Sequence, residues 1–290
     1  MQKVTKTRSI YKDPIGLLIA KYFFLVLFSI VFLFPVYALF INSVMPDEQL
    51  NDMSLWPWFF NFTTYTRIFN AEYLGFLLNT LKVCFLNISG VCIASSLTAY
   101  AISKLDFWGK NVVFAAIMGM ILLPSTVLSI PLYLIYAKLE WIGTLKPLWV
   151  PMWFGGGTMN IFLVRQFMRG IPKSYSEAAA LDGATNFQIY YKIVMPLVKP
   201  ILIYLAVTGF FGNWNDFQGP LMYVRNAREQ WTVSLALYKI FSETEGSTDS
   251  DNLPNIQMAV GVMMMIPCVI LFAFFQKTIM EGISVIGIKG

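Results

Sequence analysis

Apolar residues dominate six long stretches of the chain, at about 17–41, 76–102, 112–137, 148–168, 197–217 and 257–279. A helix needs about 20 mostly apolar residues to cross a bilayer, so each stretch predicts one span. The pattern predicts an all-α polytopic membrane protein, with a short N-terminal segment, 1–16, followed by a single membrane domain, 17–290. Two of the stretches are interrupted, the third by Pro124 and Pro131, the fourth by Pro151 and the run Gly155, Gly156, Gly157. Such breaks persist at membrane depth only where neighbouring protein or a water-filled cavity satisfies the freed backbone groups.

The polar stretch between the fourth and fifth spans has an internal pattern of its own. Ser174 followed by Glu177 has the spacing of a capping box and predicts a helix start. Tyr175 to Asp182 makes about two turns, stopped by Gly183, which tolerates the left-handed backbone of a helix end. Thr185 with Gln188 repeats the box and opens a second helix. Phe187, Tyr190, Tyr191 and Val194 form its apolar stripe, and Pro196 is expected to end it. Residues 171–196 therefore read as a helical hairpin turning at Gly183.

The composition excludes a soluble globule. It is 57% hydrophobic and 13% charged, with a mean hydropathy of +0.62, against about 45–50% apolar and about 25% charged in soluble domains. The charges also orient the spans. With the N-terminus inside, the inner side collects 14 Lys+Arg and 5 Asp+Glu, the outer side 6 and 11, and Lys82 lies just inside the second span. Basic residues concentrate on the cytoplasmic side of membrane proteins. Both termini and the 171–196 hairpin are therefore predicted to be cytoplasmic. Trp56, Trp58, Trp141, Trp149, Trp214 and Trp231 fall near predicted outer boundaries, the expected place of an aromatic belt. The net charge of +5 is then a record of orientation and gives no support for a nucleic-acid partner. The first span follows Lys3, Lys6, Arg8 and Lys12, but its apolar run is too long for a signal peptide, so it reads as an uncleaved span.

Candidate enzyme chemistry is sparse. The chain has no histidine, which removes the commonest metal ligand and the usual general base near neutral pH. Cys84 and Cys92 stand about 12 Å apart along one helix and cannot bridge each other; with Cys268 they read as small buried residues. No G-x-x-x-x-G-K-[ST] loop occurs, so the chain is not expected to bind ATP itself, and no cofactor or metal site is expected.

The hairpin resembles the EAA loop of binding-protein-dependent ABC importer permeases, whose pattern is EAA, three residues, G, nine residues, I, one residue, LP. Glu177-Ala178-Ala179, Gly183, Ile193 and Met195-Pro196 stand in register, with Met195 in place of the usual Leu. Asp182, Ala184 and Pro200 resemble the carbohydrate-uptake branch. So do Gly212-Asn213-Trp214-Asn215-Asp216-Phe217, followed by Pro220-Leu221, and the FFQ…KG ending. The resemblance covers nearly the whole chain and implies a type I ABC importer permease fold, here the second permease subunit of a pair. In that family the loop docks on a cytoplasmic ATPase subunit, which makes Glu177, Ala178, Ala179, Asp182, Gly183 and Pro196 the expected coupling residues. The implied partners are a second permease, two ATPase subunits that bind the ATP, an extracellular solute-binding protein, a carbohydrate substrate and membrane lipid. The implied location is a bacterial or archaeal cell membrane.

Two readings of the polar residues at the outer end of the fifth span stay open. Asn213, Asn215 and Asp216 line the outer mouth of a sugar path, with Trp214 free to stack on a sugar ring, or all four only pack the helix. Asn160, with Gln166, is a weaker candidate in the fourth span. The external segment at about 219–256, with GSTDSDN at 246–252, either meets the solute-binding protein or is a solvated loop. Rival functions are an ABC permease for a non-sugar solute, an ion-coupled secondary carrier and a non-transporting scaffold. A carrier would place ionisable groups near the bilayer midplane, whereas Asp216, the candidate carboxylate within a span, sits near an end.

Overall fold

The first apolar stretch folds as one helix, α1 (Ile15–Ser43), in the computed structural model, which describes residues 14–49, 54–68, 71–243 and 254–287. A 3₁₀ turn at Asp47–Gln49 and a short α2 (Thr63–Ile68) lead into α3 (Ala71–Lys104). Next come α4 (Lys110–Ile121) and α5 (Ser125–Lys138), then the short α6 (Lys146–Trp149), a 3₁₀ turn at Val150–Trp153 and α7 (Thr158–Arg169). The hairpin is α8 (Lys173–Leu181) and α9 (Asn186–Ile189), the latter running through a π turn at Tyr190–Val194 into α10 (Met195–Asn215). The chain closes with α11 (Gln218–Tyr223), α12 (Val233–Glu243) and α13 (Pro254–Gly287). There is no strand among the described residues.

Among the described residues, four helices are long and apolar enough to cross a membrane: Ile15–Ser43, Glu72–Lys104, Asn186–Asn215 and Asn255–Lys277. A further candidate is the pair α4 and α5, bent by 104°. The bend falls at Pro124, whose fixed φ of −61° and extended ψ of 131° start α5 in a new direction. Pro131, expected to break this segment too, stays inside α5. The stretch at 148–168 is not one continuous helix. Gly155, Gly156 and Gly157 all take positive φ, at 112°, 80° and 86°, and the 12-residue α7 rises only about 18 Å.

The broken segment is held because it seats on α3. Trp153 Nε1 donates to Leu86 O at 3.0 Å, and Asn87 Nδ2 donates to Leu148 O at 2.8 Å. Two glycines permit the close approach. A Cβ on Gly90 of α3 would stand 2.6 Å from the Trp153 ring, and one on Gly156 would stand 2.4 Å from the Ser95 backbone N. These contacts put α3 against the break and supply hydrogen-bond partners beside it.

Hydrophobic packing divides into two clusters along α3. One joins Tyr73, Phe76 and Val83 of α3 to Val233, Leu235 and Ala236 of α12 and Ala259 and Val260 of α13. The other joins Val91, Ala99 and Tyr100 to Val164 and Met168 of α7 and to Ile189, Tyr190, Val194, Val198, Ile201 and Leu205. Helix α1 packs along α13 and otherwise exposes its apolar side chains. Arg165 of α7 lies over the Phe114 ring of α4, 3.6 Å from its centroid. All three cysteines are free.

Two tryptophans expected in the aromatic belt are interior. Trp214 is 2% exposed, stacks on Phe210 and donates to Met264 O. Trp231 is buried against Phe76 and donates to Arg225 O. Their N–H groups find carbonyl partners, which lets the large rings be buried. The external segment is also more ordered than its polarity suggested: 218–243 carries α11, a 3₁₀ turn and α12, while GSTDSDN lies outside the described residues.

Gly156→Ala is expected to destabilise the folded chain by at least ~1–2 kcal/mol, the cost of left-handed backbone at a non-glycine residue alone. Gly119→Ala is the control, because a Cβ there meets nothing within 4 Å. Detergent melting curves should show a lower midpoint for the first and none for the second. Equal midpoints would contradict the seat.

Candidate functional site

The hairpin is built from its turn outward. Helix α8 ends at Leu181, and Gly183 follows at φ 83°. Its N–H donates to Ala180 O at 3.0 Å and that of Ala184 to Ala179 O at 2.9 Å. Together these form a Schellman motif, which satisfies carbonyls the helix end would otherwise leave open. Helix α9 then opens on the predicted box: Gln188 N donates to Thr185 Oγ1 at 3.3 Å, and Thr185 N donates to Gln188 Oε1 at 2.8 Å.

Three local expectations are corrected. Ser174 is not the cap of α8, which starts at Lys173 behind Pro172 with no side-chain cap bond. Proline, at φ −50°, holds a backbone suited to a helix start, so Ser174 falls inside the first turn. The buried residues of the second helix are Ile189, Tyr190 and Val194, whereas Phe187 and Tyr191 are exposed. Nor does Pro196 end that helix. The π turn at Tyr190–Val194 changes the hydrogen-bond register just before Met195-Pro196, where a proline lacking its N–H begins a new helical stretch.

The result is one 30-residue helix, Asn186–Asn215, about 45 Å long. Its hairpin end is bolted to α3, which also holds Ile171 at the start of the hairpin. Tyr100 OH donates to Asn186 O at 3.0 Å, Ser96 Oγ and Tyr190 OH share a hydrogen bond at 2.9 Å, and Lys104 Nζ donates to Ile171 O at 2.9 Å. The hairpin tip is open by contrast. Glu177, Ala178, Asp182, Gly183 and Pro196 are exposed, and Ala179 is half-buried against the inner cluster. Around them stand uncovered apolar side chains: Leu181, 89% exposed, which the sequence pattern did not mark, with Tyr175 and Phe187.

Towards the other end, the long helix lines a cleft of about 520 Å³ between α3, α10 and the broken segment, with polar side chains set among apolar ones such as Val91, Leu205 and Phe211. It brings together Asn160, Asn213, Asn215 and Asp216, four of the five candidate path residues, and leaves out the buried Trp214. Asn160 Nδ2 donates to Gly156 O at 2.8 Å, Asn213 Nδ2 to Gly209 O at 2.7 Å and Asn215 Nδ2 to Phe211 O at 2.9 Å. Each amide is thus oriented by its own helix or turn while keeping further hydrogen-bonding capacity. Asp216 Oδ1 accepts from Gly219 N at 3.0 Å. Asn87 and Thr208 also line the cleft. A polar Asn in the middle of an apolar span was the signal that could have found Asn87. Outside the spans, burial and the neighbouring Tyr136 and Asp216 push the Tyr223 phenol above its ordinary pKa. Asp216 is the acidic side chain lining the cleft.

Long apolar helices with a cleft that holds polar side chains between them and an exposed hairpin are the parts of a multi-pass membrane transport protein. The chain belongs to the family of binding-protein-dependent transport system inner membrane components, whose model matches residues 90–284, the hairpin and all of the cleft's lining but Asn87 included. It is 27% identical over 278 residues to the arabinooligosaccharides transport system permease protein AraQ of Bacillus subtilis, covering 94% of this chain and 96% of that one. It is 26% identical over 268 residues to the trehalose/maltose transport system permease protein MalG of Thermococcus litoralis, covering 91% and 94%. Among solved structures, a chain of a bacterial ABC transporter importing the acidic polysaccharide alginate shares the fold, with a TM-score of 0.80 at 23% identity over 93% of this chain and 99% of that one. The sequence resemblance to sugar ABC importer permeases therefore holds.

Thr185→Ala removes the side chain that caps α9 and is expected to cost ~1 kcal/mol locally. Hydrogen exchange at residues 186–189 should quicken, with exchange in α3 unchanged. Unaltered exchange at 186–189 would show that the box contributes nothing.

Proposed function

We propose that this chain is the permease subunit of an ATP-driven importer of a sugar or oligosaccharide. It forms half of the translocation path and pairs with a second permease, two cytoplasmic ATPase subunits and an extracellular solute-binding protein. The chain crosses the membrane six times, with both termini inside. The broken 146–169 segment serves as one of the crossings, completed at membrane depth by its seat on α3. The single observation that carries the reading is the family match across residues 90–284, which includes the hairpin and all of the cleft's lining but Asn87. The names of the similar permeases, for arabinooligosaccharides and for trehalose/maltose, favour a carbohydrate. So does a cleft lined by oriented amides, since hydroxyl-rich solutes are recognised by paired donors and acceptors.

The mechanism is alternating access. A loaded binding protein docks outside while ATP closes the ATPase subunits around the hairpins. The 171–196 hairpin carries that closure into the bundle. Its second helix is continuous with α10, so a displacement at Asn186 reaches Asn213 and Asn215 through one rigid rod. Hydrolysis resets the bundle to face inward. ATP is bound by the partner subunits and no cofactor is held by this chain.

Gly183→Val forces a branched side chain onto left-handed backbone and removes the hairpin turn, and Glu177→Lys reverses the charge beside it. In proteoliposomes of the assembled transporter, both variants should insert normally yet lose most substrate-stimulated ATPase activity and uptake. Full coupling in both would sink the hairpin's assignment. Asn213→Leu should lower uptake several-fold while ATPase subunits still co-purify; unchanged uptake would make the cleft a packing feature.

A further inference from the structure

Residues 54–62 join α1 to α2 and read Ser-Leu-Trp-Pro-Trp-Phe-Phe-Asn-Phe, with no charged side chain. Leu55, Trp56, Trp58, Phe59, Phe60 and Phe62 are all exposed. A connection between helices is ordinarily polar where it meets water, so six uncovered large apolar residues in nine positions need a different solvent.

The loop's position supplies one. Tyr37 OH donates to Leu55 O at 2.7 Å. Tyr37 lies six residues before the end of α1, about 9 Å back along its axis, and helical side chains lean further towards the N-terminus. Leu55 is therefore drawn down beside the shaft of α1, whose Val36 and Phe40, flanking Tyr37 in the helix, are exposed. The loop and the shaft make one continuous apolar surface.

The loop's backbone is also provided for. Gln49, fully buried, donates through Nε2 to Trp56 O at 2.9 Å and accepts at Oε1 from Trp58 N at 2.8 Å. Pro57 between them has no N–H. Asn61 N donates to Val44 O at 2.8 Å. Backbone polar groups are met internally in this way where water is not there to meet them.

We propose that residues 54–62 are an aromatic anchor inserted in the lipid leaflet at the C-terminal end of α1, which is the external leaflet in the orientation proposed above, with Gln49 as the clamp that allows insertion. The lipid surface is the partner, recognised by Trp and Phe side chains at interfacial depth. Gln49 acts as a positioning residue. By replacing water at Trp56 O and Trp58 N, it lets an irregular backbone enter the leaflet.

The test uses the assembled transporter with Cys84, Cys92 and Cys268 replaced by alanine, Trp58→Cys introduced and a nitroxide spin label attached, in vesicles of phosphatidylethanolamine and phosphatidylglycerol. Collision rates with oxygen, which partitions into lipid, are compared with those of a water-soluble nickel chelate. The anchor predicts that oxygen collisions exceed nickel collisions several-fold. Preference for nickel places the loop in water and overturns the proposal. Low access to both reagents means protein covers the loop, which overturns it equally. Adding Gln49→Leu should then reverse the preference towards nickel, and an unchanged ratio would remove Gln49 from the account.

Discussion

The seating of the broken segment on α3 is the constraint on which the rest of the arrangement depends. Pro151 and the glycines at 155–157 break the helix and release backbone groups, which in the crossing proposed above lipid could not satisfy. Gly90 and Gly156 let the break approach α3 closely enough for Asn87 to reach the Leu148 carbonyl and for the Trp153 ring N–H to reach Leu86 O. The same break gives the cleft Met152 and Asn160. It also sets the start of α7, whose Val164 and Met168 pack the inner cluster against the hairpin. One contact region thus lines the cleft on one side and packs against the hairpin on the other.

The long Asn186–Asn215 helix joins these two ends. Its hairpin end is hydrogen-bonded to α3 through Tyr100 and Ser96, and its far end presents Asn213 and Asn215 to the cleft. Mechanical transmission needs a stiff element with anchored ends, and a continuous helix provides that without any loop to absorb the motion. The π turn at Tyr190–Val194 is the local irregularity in the rod. It is what accommodates Met195-Pro196, so a residue pattern that looks like a helix terminator instead marks a change of register.

Much of this was legible in the residues. The apolar runs located the long helices, the Thr185/Gln188 spacing located a real capping box, and Gly183 located the turn, because each depends on local chemistry. Features set by tertiary contact were not legible. Trp214 looked available to a sugar because its neighbours are polar, but α13 supplies a carbonyl, Met264 O, and buries the ring. Ser174 and Glu177 had capping spacing, yet Pro172 had already begun the helix. Phe187 and Tyr191 fit an apolar stripe by period, but the hairpin turns that face outward. The period alone therefore misassigned them to the core, and as uncovered apolar side chains they suit the docking surface proposed for the hairpin.

The central claim is that a cytoplasmic ATPase subunit covers the hairpin tip. Leu181, exposed and one turn from Glu177, reports on this most directly. A photoreactive amino acid at position 181 of the assembled transporter is predicted to cross-link to the ATPase subunit, with a yield that changes when ATP is added. Cross-links to lipid or to the second permease alone, with none to the ATPase, would contradict the account.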